Sequence, residues 1–269
     1  MKKYLVIGAH PDDPDLMFGG AALKACAAGH KVKFVSVCNG DCGHYSMERE
    51  ALAERRFKEA QKVKTIAGLD EYQVLNHHDC GLKASLENRK EIVRIIRDFA
   101  PDVVISHRTN DYHADHRAAA QLVQDSAYLI TVPLYCADVP IPEKSPVYCY
   151  SWDRFKQPPF KPDIVVEIDS VVEKKIDLIN CHESQFFEWL PWDMGIKDFD
   201  KGKMSEQEAR QWLKNNWLKR NLTQASMYTE LIEKFYGDMA PYIKHIEAFE
   251  ITEYGRIPDE DELKELFYL

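Results

Sequence analysis

The 269-residue sequence contains no C-x-x-C pair, and its seven cysteines (26, 38, 42, 80, 136, 149 and 181) are odd in number and scattered. That excludes a disulfide framework and a cysteine-rich structural zinc knot. It suits reduced thiols in a reducing compartment, serving as small buried hydrophobes. No apolar run approaches the ~20 residues of a membrane span. No basic segment followed by an apolar signal core opens the chain, so a cytoplasmic protein is expected. Basic charge is short as well: 35 Lys and Arg stand against 44 Asp and Glu, a net charge of −9. Such a balance argues against nucleic acid or an anionic membrane as the main partner. No G-x-G-x-x-G follows the first apolar run, so a dinucleotide fingerprint is missing. Internal repeats and low-complexity linkers are missing too.

What remains is ordinary for a globular protein, with 45% hydrophobic and 29% charged residues. The length suits a single α/β domain with an elaborated C-terminal region. Short apolar runs at Lys3–Ile7, Lys31–Cys38, Tyr72–Leu75 and Val103–Ser106 predict four strands, separated by helices over Leu16–Ala28, Met47–Ala67 and Leu86–Phe99. This alternation predicts a Rossmann-like, doubly wound, mostly parallel sheet with helices on both faces. In the order 3-2-1-4, strands one and four are neighbours, and the crevice between their carboxyl ends is where ligands bind. Residues 1–127 are expected to form this metal-binding core, and 128–269 the elaboration that carries the substrate pocket and oligomer contacts. Within the latter, Val147–Trp152, Asp163–Ile168 and His245–Ile251 read as strands, Ser170–Cys181 as a helix, Phe186–Met204 as an aromatic loop, and Ser205–Gly237 as one or two amphipathic helices.

Two polar clusters fall at that crevice. The first is Gly8-Ala9-His10-Pro11-Asp12-Asp13-Pro14-Asp15, directly after strand one. Pro11 fixes φ and holds His10 extended, so that His10 and Asp13 can converge on one ion while Asp12 points elsewhere. The second follows strand four, and contains His107, Asp111, His113, Asp115 and His116. Aspartates capping a helix would explain the first cluster alone. Two independent clusters meeting at the ligand crevice are harder to dismiss.

His10, Asp13 and one histidine of the second cluster make a two-histidine, one-carboxylate set. Three protein ligands and an open position are typical of catalytic zinc, which lowers the pKa of its water to about 7. The same ligand types also suit iron(II). Asp12 adjoins the ligands and can take the water's proton, while a further histidine stabilises the oxyanion or protonates the leaving group. These are the parts for metal-assisted hydrolysis of an acyl bond.

Ala9-His10-Pro11-Asp12-Asp13 followed by Gly19-Gly20, with His113-Ala114-Asp115-His116 about a hundred residues on, resembles the LmbE/PIG-L family of zinc-dependent N-acetylglucosamine deacetylases. The Asn39-Gly40-Asp41 turn, Arg56-x-x-Glu59-Ala60 and Lys175…His182-x-Ser184-Gln185 agree with it. The resemblance covers about the first 125 residues well and the tail thinly. It implies His10, Asp13 and His116 as metal ligands, Asp12 as general base, and His113 as the histidine that polarises the carbonyl or serves the leaving amine. It also implies Arg56 and Asp79 as sugar-hydroxyl or phosphate contacts. Two positions depart from the family pattern. Pro14 stands where an acidic residue is usual, and Asp111 where some members carry a tyrosine, with Tyr112 beside it.

Asp115 is expected to orient a histidine or cap the helix that starts near it. His107 is expected to finish strand four as a packed or hydrogen-bonded residue, and His77 and His78 to be ordinary loop histidines. His182 closes over the site or caps its helix, and Trp189 and Trp192 stack on a sugar or anchor their loop. The acidic run 259–262 reads as a solvated helix start. The function expected from all this is removal of acetyl from an N-acetylglucosamine-type sugar or conjugate. The alternatives are hydrolysis of another amide or an ester on a glycoconjugate, and carbohydrate binding over a vestigial metal site. The partner is then a small amino-sugar conjugate, and the aromatic-rich tail would suit a homo-oligomer interface.

Overall fold

Lys3–Gly8 forms β1, with Tyr4 to Ile7 wholly buried, as a strand covered on both faces requires. The computed structural model, which describes residues 1–196 and 198–267, continues with α1 (Asp13–Ala27), β2 (Lys31–Cys38), α2 (Arg49–Ala67), β3 (Glu71–His77), α3 (Leu86–Phe99), β4 (Val103–Ser106) and α4 (Ala114–Leu129). Local signals account for these bounds. Pro14 sits in the first turn of α1, where its missing N–H costs nothing. Ser85 caps α3 by accepting the Asn88 N–H at 3.2 Å. Gly68, at φ 73°, ends α2 by donating to Lys64 O.

The sheet has seven strands in the order β3-β2-β1-β4-β5-β7-β6, once β5 (Val147–Ser151), β6 (Ile164–Glu167) and β7 (Ile246–Gly255) are included. The first four strands take the expected 3-2-1-4 order, all parallel, and β5 extends them in parallel. β7 then runs antiparallel between β5 and β6. Alternate residues of β1 serve opposite cores: Tyr4 and Val6 pack with Phe18 and Phe34, while Leu5 and Ile7 pack with Ile92, Ile96 and Leu122. Ile7 pairs with Ser106, so the loops leaving β1 and β4 emerge side by side.

The C-terminal region adds α5 (Val172–Cys181), a π-helical turn at Ser184–Trp189, α6 (Leu190–Asp193), α7 (Glu206–Leu213), a second π turn at Lys214–Leu218, α8 (Lys219–Met227), α9 (Thr229–Tyr236) and α10 (Glu260–Phe267). The stretch 186–204, expected as a loop, therefore begins helically. Burial of Phe186 and Phe187 against Leu213 and Leu218 in a separate small core pulls it into that form. Among the described residues, no helix is long and apolar enough to cross a membrane.

Candidate metal centre

The loop after β1 is a tight turn in which the N–H groups of Asp12 and Asp13 both donate to His10 O, at 3.0 and 3.2 Å. A side chain at Gly8 could not be accommodated, because its Cβ would lie 2.5 Å from Asp13 Cβ. Asp13 Oδ2 accepts the His10 N–H at 2.7 Å. Asp12, at the N-cap position of α1, makes no side-chain cap and has a φ of 155°. Such a backbone costs of the order of 1–3 kcal/mol and has to be held by its surroundings. Arg56 holds it: Nη2 donates to Pro11 O and Asp12 Oδ1, both at 2.8 Å.

The loop after β4 brings the second cluster against the first. His113 caps α4, its Nδ1 accepting the Asp115 N–H at 3.1 Å, so its ring proton is on Nε2. Asp111 accepts the His113 N–H at 2.9 Å and lies 3.1 Å from His116 Nδ1. Asp115 is buried, accepting from the N–H of Cys80 at 2.6 Å and of Leu82 at 3.2 Å. Its Oδ2 also lies 3.2 Å from His10 Nε2. His10 thus has one ring nitrogen fixed by a carboxylate, the arrangement that sets the tautomer of a metal-binding histidine, while Asp111 faces His116 Nδ1 as a charge contact without hydrogen-bond geometry.

Asp13 Oδ2 sits among the other nitrogens, 3.5 Å from His10 Nδ1, 3.6 Å from His116 Nε2 and 3.3 Å from His107 Nε2. Ligand atoms around a tetrahedral zinc with bonds of about 2.0–2.1 Å are themselves about 3.3–3.4 Å apart, so the spacing fits a small divalent cation. Among the described residues, three overlapping groups have ligand atoms within 4.8 Å of one another: His10, His113 and His116; His10, Cys38 and Asp115; and Asp13, His107 and His116. The set His10, Asp13 and His116 straddles the first and the third. His107 is buried and hydrogen-bonded as expected, its Nε2 accepting the Ala9 N–H at 3.3 Å, and it also stacks on His116 with 4.0 Å between ring centroids. Sequence reasoning gave neither His107 nor Asp111 a role at the metal; their place on the loop after strand four was the available signal.

The charges are interlocked. Burial pushes the Asp12 carboxyl up to about 6, against the pull of Arg56. Burial alone would raise Asp13 as well, but the facing His116 and His107 hold it well below the usual carboxylate range. His10, although buried, is raised to about 10 by Asp115 and Asp13. His113, facing His10 and His116, is lowered by burial and by those two rings, which favours its neutral form.

Arg56 is buried, with Nη2 given to Asp12 and Pro11. Asp79 is turned into the loop after β2, where it accepts the Gly40 N–H at 2.9 Å and, at longer range, that of Cys42 at 3.4 Å. His77 pairs with Glu91 and His78 with Asp41, outside the cluster. His182 is fully buried, its Nε2 3.2 Å from Asp15 Oδ2, which also accepts the Tyr72 hydroxyl at 2.8 Å. Pro14 thus opens α1 while Asp15 turns inward. Tyr112 stays exposed, its ring centroid 5.9 Å from those of His113 and His116.

The sequence profile of the PIG-L family, described as GlcNAc-PI de-N-acetylase, matches residues 5–127. A diacetylchitobiose deacetylase of Thermococcus kodakarensis is 30% identical over 214 residues, 76% of this chain and 79% of that protein. A 4-oxalmesaconate hydratase of Pseudomonas putida is 25% identical over 195 residues, 70% of this chain and 76% of the other. Among solved structures, the N,N'-diacetylchitobiose deacetylase from Pyrococcus horikoshii superposes with a TM-score of 0.71 at 24% identity, covering 93% of this chain and 84% of that one; this likeness shows the fold.

Proposed function

Because this chain belongs to the PIG-L, or LmbE-like, family, we propose that it is a metal-dependent hydrolase removing the N-acetyl group from an N-acetylglucosamine-type sugar or conjugate. The observation that carries this reading is the division of labour at Asp12. Arg56 holds its Oδ1, while Oδ2 has no hydrogen-bond partner among the described residues. A pure binding site would not need a free carboxylate oxygen beside the ligands.

His10, Asp13 and His116 are the proposed ligands, with Asp115 and Asp111 orienting the two rings. These ligands would hold a divalent cation, which when bound would supply an acidified water and polarisation of the acetyl carbonyl. Zinc suits the donor set and spacing, and iron(II) is the second candidate. Asp12 Oδ2 takes the proton of the attacking water, and its raised pKa makes it a fitting base near neutral pH. His113, neutral with its proton on Nε2, is placed to hydrogen-bond the developing oxyanion or the nitrogen of the departing amine, and the proton taken by Asp12 is the one that leaves with that amine. Arg56 and Asp79 border this chemistry and are proposed to face sugar hydroxyls through the loop that they hold.

Residues 1–127 carry this machinery and 128–269 complete the substrate pocket; the aromatic-rich tail is proposed to supply contacts in a homo-oligomer. All seven cysteines are free, which suits the cytoplasm as the working compartment. The deciding experiment combines metal analysis with acetate release from N-acetylglucosamine conjugates, for wild type and Asp12→Asn. About one divalent ion per chain in both proteins, with acetate from wild type alone, supports the reading. A metal-loaded wild type that releases no acetate from any N-acetyl sugar overturns the proposed substrate.

A further inference from the structure

Beyond the metal centre, four rings form a continuous row. His44 stacks on Tyr45 (4.6 Å between centroids, 20° between planes), Tyr45 on Trp192 (5.6 Å, 19°) and Trp192 on Trp189 (5.3 Å, 25°). The row approaches the metal loop through Arg56, the residue that holds Asp12: at Gly43 an added Cβ would lie 3.7 Å from each of Arg56 Nη1, Gln185 Oε1 and Trp189 Cδ1. Tyr45 and Trp192 remain 51% and 54% exposed despite this stacking. Beneath Tyr45 opens a cavity of about 740 Å³, walled by Phe187, Phe199, Glu183, Glu188 and Lys201. A second cavity of about 430 Å³ shares Tyr45, Glu188 and Phe199 with it and reaches Trp192. Glu188 is fixed in place by two bonds from Arg55, at 2.8 and 2.6 Å, and one contact with His44 at 2.9 Å. Acetyl transfer to water uses none of these groups.

We propose that this row and its cavities bind the sugar residues beyond the one that loses its acetyl group, so that the enzyme acts on a linked amino-sugar oligomer. The inference rests on the deacetylase reading and names its substrate class. A pyranose ring has C–H faces that pack on aromatic rings and hydroxyl edges that need acceptors. The wall alternates aromatic faces with carboxylates in that manner. An alkyl chain would find its path interrupted by Glu183 and Glu188, and an anionic group would meet four carboxylates (Glu183, Glu188, Asp198 and Asp200) with the two lysines of the wall, Lys201 and Lys203, already paired to Glu183 and Asp200. The rings and Glu188 are held in place without ligand, so binding orders little new. The π turn at Ser184–Trp189, a form frequent at functional sites, carries Phe187 and Glu188 of the cavity wall and Trp189 of the ring row.

The test compares acetate release from N-acetylglucosamine with release from its β-1,4-linked dimer and tetramer. Wild type is expected to show kcat/KM at least tenfold higher on the tetramer than on the monosaccharide. Trp192→Ala should erase most of that ratio through KM, with Tyr45→Ala as the second variant should the first not fold. Equal rates on all three substrates, or an unchanged ratio in folded variants, overturns the proposal. So does a variant that alters the oligomeric state while the ratio stays intact. Quenching of tryptophan fluorescence by the tetramer in Asp12→Asn separates the two readings. If no substrate yields acetate, the deacetylase reading falls, while Trp192-dependent quenching still upholds the oligomer site and its absence sinks that as well.

Discussion

Arg56 Nη2 lies 2.8 Å from Asp12 Oδ1 and 2.8 Å from the carbonyl oxygen of Pro11, so one buried guanidinium fixes both the carboxylate and the strained backbone that presents it. Removing the charge should loosen both. Because Arg56 pulls the Asp12 pKa down against burial, Arg56→Met raises it above about 6. Asp12 serves as a base only when ionised, so the acid limb of the rate profile should move to higher pH. The maximal rate should fall by about 10²-fold or more, within the range of a mispositioned general base. A pH–rate profile with an unmoved acid limb would show that Arg56 does not act through Asp12.

Asp115 and Asp111 should matter to metal affinity nearly as much as the ligands do. Asp115→Ala and Asp111→Ala are each expected to weaken divalent-ion binding by about 10–100-fold, while Asp13→Ala abolishes it. Competition with a chelator measures this directly. Wild-type affinity in Asp115→Ala would remove His10 from the ligand set.

Gly40 is expected to tolerate no side chain. It adopts φ +80°, and an added Cβ would lie 2.5 Å from Arg56 Cδ. Gly40→Ala should cost about 2–4 kcal/mol of stability from the left-handed backbone and the overpacking together. Because the displaced atom belongs to the residue that holds Asp12, activity should drop further than stability does. Denaturant titration beside kinetics at a temperature where the variant is folded separates the two losses.

Lys175 and Glu247 form a fully buried pair at 2.5 Å, and Glu247 also accepts the N–H groups of Gly20 and Ala21 at 2.8 and 2.9 Å. Lys175→Met strands a buried carboxylate and should cost about 3–5 kcal/mol. Adding Glu247→Gln removes the charge while keeping an acceptor for α1, and should recover much of the loss. A double variant no more stable than the single one would show that the charge was not the cause.

The His182–Asp15 pair predicts a pH dependence of stability. Burial would lower the His182 pKa, but Asp15 raises it above the unfolded value. A raised imidazole pKa stabilises the fold below about 6.5, and that contribution is lost as pH rises through the folded value. Urea midpoints of wild type should therefore fall relative to those of His182→Gln between pH 6 and the alkaline side. Parallel curves would mean that His182 is neutral throughout.

The sheet order β3-β2-β1-β4 was legible because each strand is a short apolar run and each crossover a periodic helix, and parallel strands in such a chain admit few arrangements. Placing β1 beside β4 followed from the order, and with it the meeting of His10 and Asp13 with His113 and His116. His107 and Asp111 were less visible because their roles depend on angles at the end of β4, where a ring facing the core and a ring facing Asp13 look alike in sequence. The helical start of 186–204 was hidden for another reason. Phe186 and Phe187 owe their burial to Leu213 and Leu218, partners some thirty residues away that no local pattern announces.

The contact between Glu247 and the amides of Gly20 and Ala21 has an architectural consequence. The helix that begins at Asp13 is clamped from behind by β7, and Lys175 of α5 locks the clamp. The family profile matches residues 5–127, yet the helix that follows the metal loop is braced by Lys175 and Glu247, beyond that stretch. Grafting the amino-terminal half onto another scaffold would transplant the ligands without the brace that keeps their helix in register.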